Sequence, residues 1–270
     1  MNSGARNAGS PESSCHDRDA LAFAERLAAI YSRVLGEIVA SLIVHGSLAL
    51  GDYTRRHSDI DLLGVVDRPL LYSEIESLTR AVAAQQADAP APADLRVVTR
   101  AAAAAPAQAP PMELYLRLDG SAPPQVESRH PGEPDLVLEF SICRAHGRAL
   151  LGAEPHAVIG EVPDEWVLRV GDAQLARWQS LTGDARHAAL MLLTACRAWR
   201  FSQERSHCSK AAAGSWALTR DPSLTAVRDA IRQRSGHAVP IDPTEVGRLL
   251  SIARTGIAAN QHAPCPTDTR

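Results

Sequence analysis

The feature that most constrains this chain is a pair of aspartates, Asp59 and Asp61, separated by one isoleucine and followed by an apolar run. Residues two apart on a strand point to the same side, so both carboxylates face one way while Ile60 points into the core. Two carboxylates this close repel each other unless a cation lies between them. Their hard oxygen atoms suit Mg²⁺, which retains waters and binds substrate phosphates. The pattern therefore predicts a buried strand that carries a magnesium site.

A Gly-Ser pair precedes these aspartates and ends another apolar run. The run predicts a strand over 41–45, after which Gly46 lets a phosphate approach the backbone closely. Ser47 offers a hydroxyl and an N–H group at a predicted helix start, where anions bind. We therefore expect a phosphate cradle beside the metal site. The alternative is an ordinary hairpin with two exposed aspartates.

Composition narrows the class of protein. The chain has 270 residues, 45% of them apolar, which suffices for one large or two smaller globular domains. A net charge of -3 and few aromatic residues argue against a nucleic-acid partner. The five cysteines are odd in number and lack metal-ligand spacing, so we expect reduced thiols. With no span long enough for a bilayer and no signal-peptide core, we expect a cytoplasmic protein without a membrane partner. We also expect it to be a monomer.

Apolar periodicity divides the chain into an α/β part at 19–160 and an all-helical part at 161–262, flanked by a disordered segment at 1–18 and a tail at 263–270. The first part is predicted to hold strands at 41–45, 59–66, 95–99 and 112–118 and helices at 19–39, 70–86 and 136–146. A loop is predicted at 119–134, and the Ala/Pro-rich stretch 101–110 is left unassigned. The second part is predicted to hold helices at 164–180, 185–204, 210–219, 224–235 and 243–259.

A third carboxylate, Glu113, lies on the strand predicted at 112–118. It shares the mixed-polarity face of that strand with Tyr115 and Arg117. A carboxylate beside a metal site can accept the proton of an acceptor hydroxyl, so Glu113 is a candidate general base. The alternative is a surface glutamate paired with Arg117.

The Gly-Ser pair, the spacer and the Asp-x-Asp strand resemble the nucleotidyltransferase superfamily, which has a polymerase β-like fold. Further motifs are similar to the aminoglycoside adenylyltransferases that modify streptomycin and spectinomycin, over roughly residues 35–220. These motifs are Ser-Asp-Ile-Asp-Leu-Leu at 58–63, Glu-Leu at 113–114, Arg144 with Leu151-Gly152, the helix segment 193–199, Ser209-Lys210 and 215–218. The resemblance implies an α/β nucleotidyltransferase domain (a mixed sheet with flanking helices) followed by an all-α helical bundle, with the active site between them.

The same resemblance implies AMP transfer from ATP and a role for each matching residue. Asp59 and Asp61 would hold Mg²⁺, and Glu113 would be the general base. The ATP phosphates would be contacted by Gly46, Ser47, Ser58, Arg197 and Lys210.

The acceptor implied by the resemblance is a small, cationic aminoglycoside or aminocyclitol. Asp184, His187 and Asp135 are the candidate acceptor residues, with Asp184 preferred because a carboxylate recognises a cationic ring. Pro134 stands where streptomycin-modifying members have tryptophan, which leaves spectinomycin or another acceptor more open. Two alternatives stay open: a nucleotidyltransferase acting on a protein or RNA end, and a non-catalytic nucleotide-binding module.

Overall fold

The computed structural model describes residues 11–120 and 122–260, and its centre is one six-stranded mixed sheet. The strands are β1 (Val39–His45), β2 (Ile60–Val66), β3 (Ala93–Thr99), β4 (Met112–Leu118), β5 (Gln125–His130) and β6 (Arg148–Gly152). Their order across the sheet is β5-β4-β3-β2-β1-β6. β2 and β3 run parallel, and every other neighbouring pair is antiparallel.

Helices cover both faces of this sheet and then continue as a bundle. Those of the first half are α1 (Pro11–Leu35), α2 (Gly46–Ala49), α3 (Tyr72–Ala83), α4 (Arg100–Ala104), α5 (Asp135–His146) and α6 (Pro155–Val158), with 3₁₀ turns at Gly36–Ile38 and Gln86–Asp88. The bundle consists of α7 (Asp164–Trp178), α8 (Ala188–Glu204), α9 (Lys210–Arg220), α10 (Thr225–Arg234) and α11 (Pro243–Asn260).

Three apolar cores hold these layers together. On one sheet face, Phe23 and Tyr31 of α1 and Leu78 of α3 pack on the strands. On the opposite face, Phe140 of α5 packs among strand residues that include Leu63. The third core lies within the bundle. Burial of large apolar side chains on both faces is what makes β2 almost continuously apolar after its aspartates.

One row of the sheet carries the polar residues of interest. His45 of β1 lies opposite Asp61 of β2, Asp61 lies beside Asp94 of β3, and Asp94 lies opposite Arg117 of β4. Paired residues in adjacent strands project their side chains to the same face. The register therefore gathers four polar side chains at one end of the sheet.

The predicted fold class is confirmed, but two strands were missed. β5 forms within 119–134, where a loop was predicted; it is an edge strand with almost wholly exposed side chains, so it has no apolar alternation to detect. β6 has only five residues, and it follows directly on Gly147. Short strands at sheet edges leave the weakest pattern in a sequence.

Several predicted helix limits were also wrong. α1 begins at Pro11, so residues 11–18 are helical and not disordered as predicted, and α8 begins three residues later than the predicted 185. The unassigned stretch 101–110 holds most of α4, whose first turn is capped by Thr99 through its hydroxyl and the Ala102 N–H (3.2 Å). The predictions for 1–10 and for 263–270 lie outside the described residues. None of the described helices is long and apolar enough to cross a bilayer.

Candidate active site

A cavity of about 620 Å³ lies between the polar end of the sheet and helices α8, α9 and α10. From the sheet side it is lined by, among others, Gly46, Ser47, Ser58, Asp59, Asp61, Arg117 and Asp119. From the bundle it is lined by Arg186, His187, Leu190, Arg197, Lys210 and Arg234 among others. The predicted cleft between the two parts is therefore present.

Asp61 and Gly46 fit together at the base of this cavity. Gly46 adopts φ +62°, and a Cβ atom there would lie 2.0 Å from Asp61 Oδ2. Only glycine allows the turn after β1 to pass so close to the carboxylate. Burial, together with the charges of Asp94 and Asp59, raises the pKa of Asp61 to about 7. Such a carboxylate is stabilised in its charged form by a nearby cation.

The two predicted phosphate-contacting serines differ in their surroundings. Ser47 Oγ is buried, and it has no hydrogen-bond partner among the described residues. A buried, unpartnered hydroxyl in a polar cavity suits a ligand oxygen. Ser58 Oγ instead accepts hydrogen bonds from the Thr54 N–H (3.0 Å) and Arg234 Nη2 (3.2 Å). Ser47 is therefore available to a phosphate, whereas Ser58 already orders the loop before β2.

The carboxylate that the structure places beside the aspartate pair is Asp94, and not Glu113, which was predicted there. Glu113 lies four residues from Arg117 along β4, a separation of about 13 Å, and it is not part of the cavity wall. Its Oε2 accepts the N–H of Leu70 (3.0 Å) instead. Asp94 is not part of the cavity wall either, but it lies directly beside Asp61 in the parallel pair of strands and contacts Arg117, which does line the wall. Burial raises the pKa of Asp94, which the charge of Arg117 opposes.

Arg117 connects the carboxylates of two strands. Its Nη1 lies 3.0 Å from Asp59 Oδ2 and 2.7 Å from Asp94 Oδ2. Burial disfavours its charge, but Asp94 and Asp59 outweigh burial and raise its pKa. The predicted alternative, a pair between Arg117 and Glu113, does not form, since Glu113 contacts Leu70.

Arg197 and Lys210 reach the same cavity from the bundle, as predicted. Lys210 is the first residue of α9, whose N-cap is Ser209. Burial, with the nearby charges of Arg197 and Arg234, lowers the pKa of Lys210 to about 8, and burial also lowers the pKa of Arg197. Among the described residues neither cation has a carboxylate within ion-pair distance. Two half-buried cations without a carboxylate at ion-pair distance suit the binding of an anion.

Arg234 and Asp52 connect the bundle to the loop between β1 and β2. Arg234 Nη2 donates to Asp52 O (2.6 Å) and lies 3.4 Å from Asp52 Oδ2. Asp52 Oδ2 also accepts the Ala211 N–H of α9 (3.4 Å). The two side chains are only 9% and 16% exposed. Neither residue was predicted, because no local motif shows that a helix end and a distant loop will meet.

The predicted acceptor residues are separated in the structure. His187 lines the cavity, and its Nδ1 lies 2.6 Å from Asp184 Oδ2. Asp184 therefore stands behind His187, and the hydrogen bond from His187 lowers its pKa. Asp135 is not part of the cavity wall; its carboxylate lies 3.9 Å from Arg177 Nη2. Arg186, which was not predicted, lines the cavity beside His187.

The carboxylates fit a divalent cation only in part. Asp59 and Asp61 provide hard oxygen ligands next to the unpartnered Ser47 hydroxyl, which suits a metal that arrives with phosphates. Within residues 11–120 and 122–260, no group of three or more His, Cys, Asp or Glu side chains is arranged to hold a metal ion. The protein thus offers a pair of carboxylates, which alone does not complete the coordination of a metal ion.

Comparison with known families defines the class. Residues 24–146 match the nucleotidyltransferase domain, and residues 157–233 match the C-terminal domain of aminoglycoside adenylyltransferases. The chain is therefore a nucleotidyltransferase. Because its second domain is that of the aminoglycoside adenylyltransferases, it belongs to that family. Its fold is similar to that of spectinomycin adenyltransferase AAD(9) from Enterococcus faecialis, solved with ATP and spectinomycin: the TM-score is 0.70 at 15% identity, covering 89% of this chain and 99% of that one. No curated protein sequence matches the chain.

Proposed function

We propose that the protein transfers AMP from Mg²⁺-ATP to a hydroxyl of an aminoglycoside or aminocyclitol and releases pyrophosphate. Spectinomycin and streptomycin are the acceptors to test first. Because the reaction would use ATP, we propose that it occurs in the cytoplasm. The observation that carries the proposal is the two-sided cavity. The carboxylates of Asp59 and Asp61 face the unpaired cations Arg197 and Lys210 across a space that Ser47 also lines. A metal-bound triphosphate matches this division of charge.

The ligands of the nucleotide divide between the two sides. Asp59 and Asp61 would hold the magnesium ion, which when bound neutralises charge on the phosphates. Ser47 would donate its hydroxyl to a phosphate oxygen. Arg197 and Lys210 would stabilise the charge that develops on the departing pyrophosphate. Because these cations belong to the bundle, nucleotide binding would hold the two parts together.

Asp94 is the candidate general base in place of Glu113. The acceptor hydroxyl oxygen forms a bond to the α-phosphorus as the bond from that phosphorus to the bridging oxygen breaks. The hydroxyl proton passes to the Asp94 carboxylate, and pyrophosphate leaves with the electron pair of the broken bond. Asp94 would act after the guanidinium of Arg117 has moved, since that side chain now occupies its Oδ2 atom.

Of the three residues predicted to bind the acceptor substrate, His187 is the one whose position in the cavity favours that role. It lines the wall on the bundle side, and the Asp184 carboxylate on its far side fixes its ring. An imidazole held in this way can accept a hydrogen bond from an acceptor hydroxyl or ammonium group. Asp184 would then influence the acceptor through His187.

The test is to incubate the purified protein with ATP, Mg²⁺ and each antibiotic in turn. Product mass and pyrophosphate are measured, and antibiotic susceptibility is measured in a sensitive bacterium that expresses the chain. We expect an adenylylated antibiotic, pyrophosphate in equal amount and raised resistance to that antibiotic. Label from ATP in a protein or RNA fraction would instead indicate a macromolecular acceptor. ATP binding without pyrophosphate release from any acceptor would indicate a non-catalytic module.

A further inference from the structure

Arg117 is held by three carboxylates at the place where a cation is needed. One nitrogen atom, Nη1, is within hydrogen-bond distance of both Asp59 Oδ2 and Asp94 Oδ2. The other terminal nitrogen, Nη2, lies 3.6 Å from Asp119 Oδ2. The Arg117 side chain is 21% exposed, so this contact is made inside the cavity wall. Such charge-assisted hydrogen bonds are stronger than neutral ones.

A divalent cation held by Asp59 and Asp61 would require one of the same carboxylates, that of Asp59. Asp59 Oδ2 points at Arg117, and Asp59 belongs to the carboxylate pair that the proposed reaction uses for its metal. Asp94 is also engaged, because Oδ2 accepts from Arg117 and Oδ1 lies 3.1 Å from the Tyr115 hydroxyl. The guanidinium thus offsets part of the charge of these two carboxylates without a metal. A metal ion and the guanidinium compete electrostatically for this position.

Asp119 provides a second position for the guanidinium. It lies two residues beyond Arg117, just after β4, and its side chain is 51% exposed. A rotation of the Arg117 side chain toward Asp119 would free Asp59 while the arginine keeps a carboxylate partner. The side chain can make this exchange without movement of the sheet, because only one residue separates Arg117 from Asp119 in the chain.

We propose that Arg117 is an internal counter-ion that competes with a divalent cation for Asp59, so that the nucleotide-free protein binds metal weakly. Firm metal binding then requires the nucleotide, whose phosphates supply further ligands. The inference rests on the proposed function for the use of a metal. It adds that a residue of this chain couples metal binding to nucleotide binding.

The test is a Mn²⁺ titration of the full-length protein, with free Mn²⁺ measured by electron paramagnetic resonance, with and without ATP. Wild type is compared with Arg117→Ala and Arg117→Gln. Arg56→Ala is the matched control, since it removes a positive charge from the same cavity wall while Arg117 keeps its contacts to the carboxylates. Without ATP, we expect both Arg117 variants to bind Mn²⁺ at least about tenfold more tightly than wild type. We expect Arg56→Ala to change affinity about twofold or less, because exposed charge is screened by salt.

Two further measurements locate the effect. Asp59→Asn added to Arg117→Ala should abolish the gain, and Mn²⁺ should raise the melting temperature of Arg117→Ala more than that of wild type. Equal Mn²⁺ affinity of wild type and both Arg117 variants would overturn the inference, as would an equal gain in Arg56→Ala. Failure of wild type to bind Mn²⁺ even with ATP would instead contradict the proposed metal-dependent reaction. If Arg117→Ala does not fold, Arg117→Gln decides, because it keeps most of the aliphatic part of the side chain and a hydrogen-bond donor.

Discussion

At the scale of single residues, the site depends on contacts that allow almost no substitution. Gly46 combines a left-handed backbone with an Asp61 carboxylate placed where its Cβ would lie. Arg117 forms ion pairs with both Asp94 and Asp59. Lys210 is a half-buried cation with no carboxylate at ion-pair distance among the described residues. Each of these features leads to a prediction that a matched variant can test.

Replacement of Gly46 by alanine should displace Asp61. The left-handed conformation costs about 1–2 kcal/mol in a non-glycine residue, and the 2.0 Å contact forces the carboxylate to move. A displacement of about 1 Å can reduce turnover about 100-fold. Gly51→Ala is the control, because Gly51 has φ +67° but no atom within 4 Å of the added Cβ. We expect Gly51→Ala to lower the melting temperature and keep near-normal turnover; equal turnover losses in both variants would contradict this account.

Glu113 and Asp94 can be separated by isosteric amides. Asp94→Asn should reduce turnover about 100-fold or more, the usual contribution of a general base. Glu113→Gln should stay within about twofold of wild type, because an amide oxygen can still accept the Leu70 N–H. Steady-state kinetics with ATP and the acceptor decide between them. A large loss for Glu113→Gln, with little change for Asp94→Asn, would restore Glu113 as the base.

The pH dependence of ATP binding should show the titration of Lys210. Burial and the charges of Arg197 and Arg234 depress its pKa to about 8, against the opposing charges of Asp61 and Asp59. The lysine is therefore charged below about pH 8 and neutral above it, so ATP affinity should fall as pH rises, by up to about tenfold per unit. Lys210→Arg retains its charge and should bind ATP with little dependence on pH from 7.5 to 9.5. Parallel profiles for the two proteins, measured by equilibrium binding, would exclude this role.

At the scale of elements, the contact between α10 and the loop after β1 fixes the bundle on the sheet. Arg234 is the last residue of α10, and its guanidinium contacts Asp52, Ser58 and the His57 carbonyl oxygen (3.3 Å). The same loop leads into Asp59, so this contact also helps to position the strand that carries the aspartate pair. A single arginine therefore connects the two walls of the cavity.

Loss of that arginine should be costly, because it leaves the Asp52 charge buried. Arg234→Ala should destabilise the protein by about 3–5 kcal/mol, the usual cost of breaking a buried pair. The double variant Arg234→Met with Asp52→Leu should recover much of that loss. Arg80→Ala is the control: its pair with Glu76 is more than 70% exposed at both residues, so it should change stability by about 0.5 kcal/mol or less. Denaturant unfolding that finds Arg234→Ala as stable as Arg80→Ala would contradict this role.

At the scale of the whole molecule, the sequence predicts architecture better than it predicts the partners of individual side chains. Alternation and helical spacing are local, so β1 to β4, α5 and the five helices of the bundle were predicted close to their true bounds. The Asp59 and Asp61 motif is also local, because only one residue separates the two aspartates, so it could be recognised in the sequence. Edge strand β5 left no pattern because its side chains are exposed.

The position of Asp94 was missed because it depends on how two strands distant in sequence pair with each other. Asp94 lies beside Asp61 only because β3 runs parallel to β2 in a particular register. The predicted strand began at residue 95, which left Asp94 in a loop. On β4, the antiparallel direction brings Arg117 to the polar row and carries Glu113 toward the far end. An acid at the start of the strand after the Asp-x-Asp strand was the signal available in the sequence.

The most direct test of AMP transfer is to determine which phosphorus atom of ATP is attacked. The protein is incubated with the acceptor and with ATP labelled either at the α- or at the γ-phosphorus, and labelled products are separated. We expect that α-label enters the acceptor as AMP, that γ-label leaves as pyrophosphate, and that Asp61→Asn abolishes both. Transfer of γ-label to the acceptor, or undiminished α-transfer by Asp61→Asn, would contradict it.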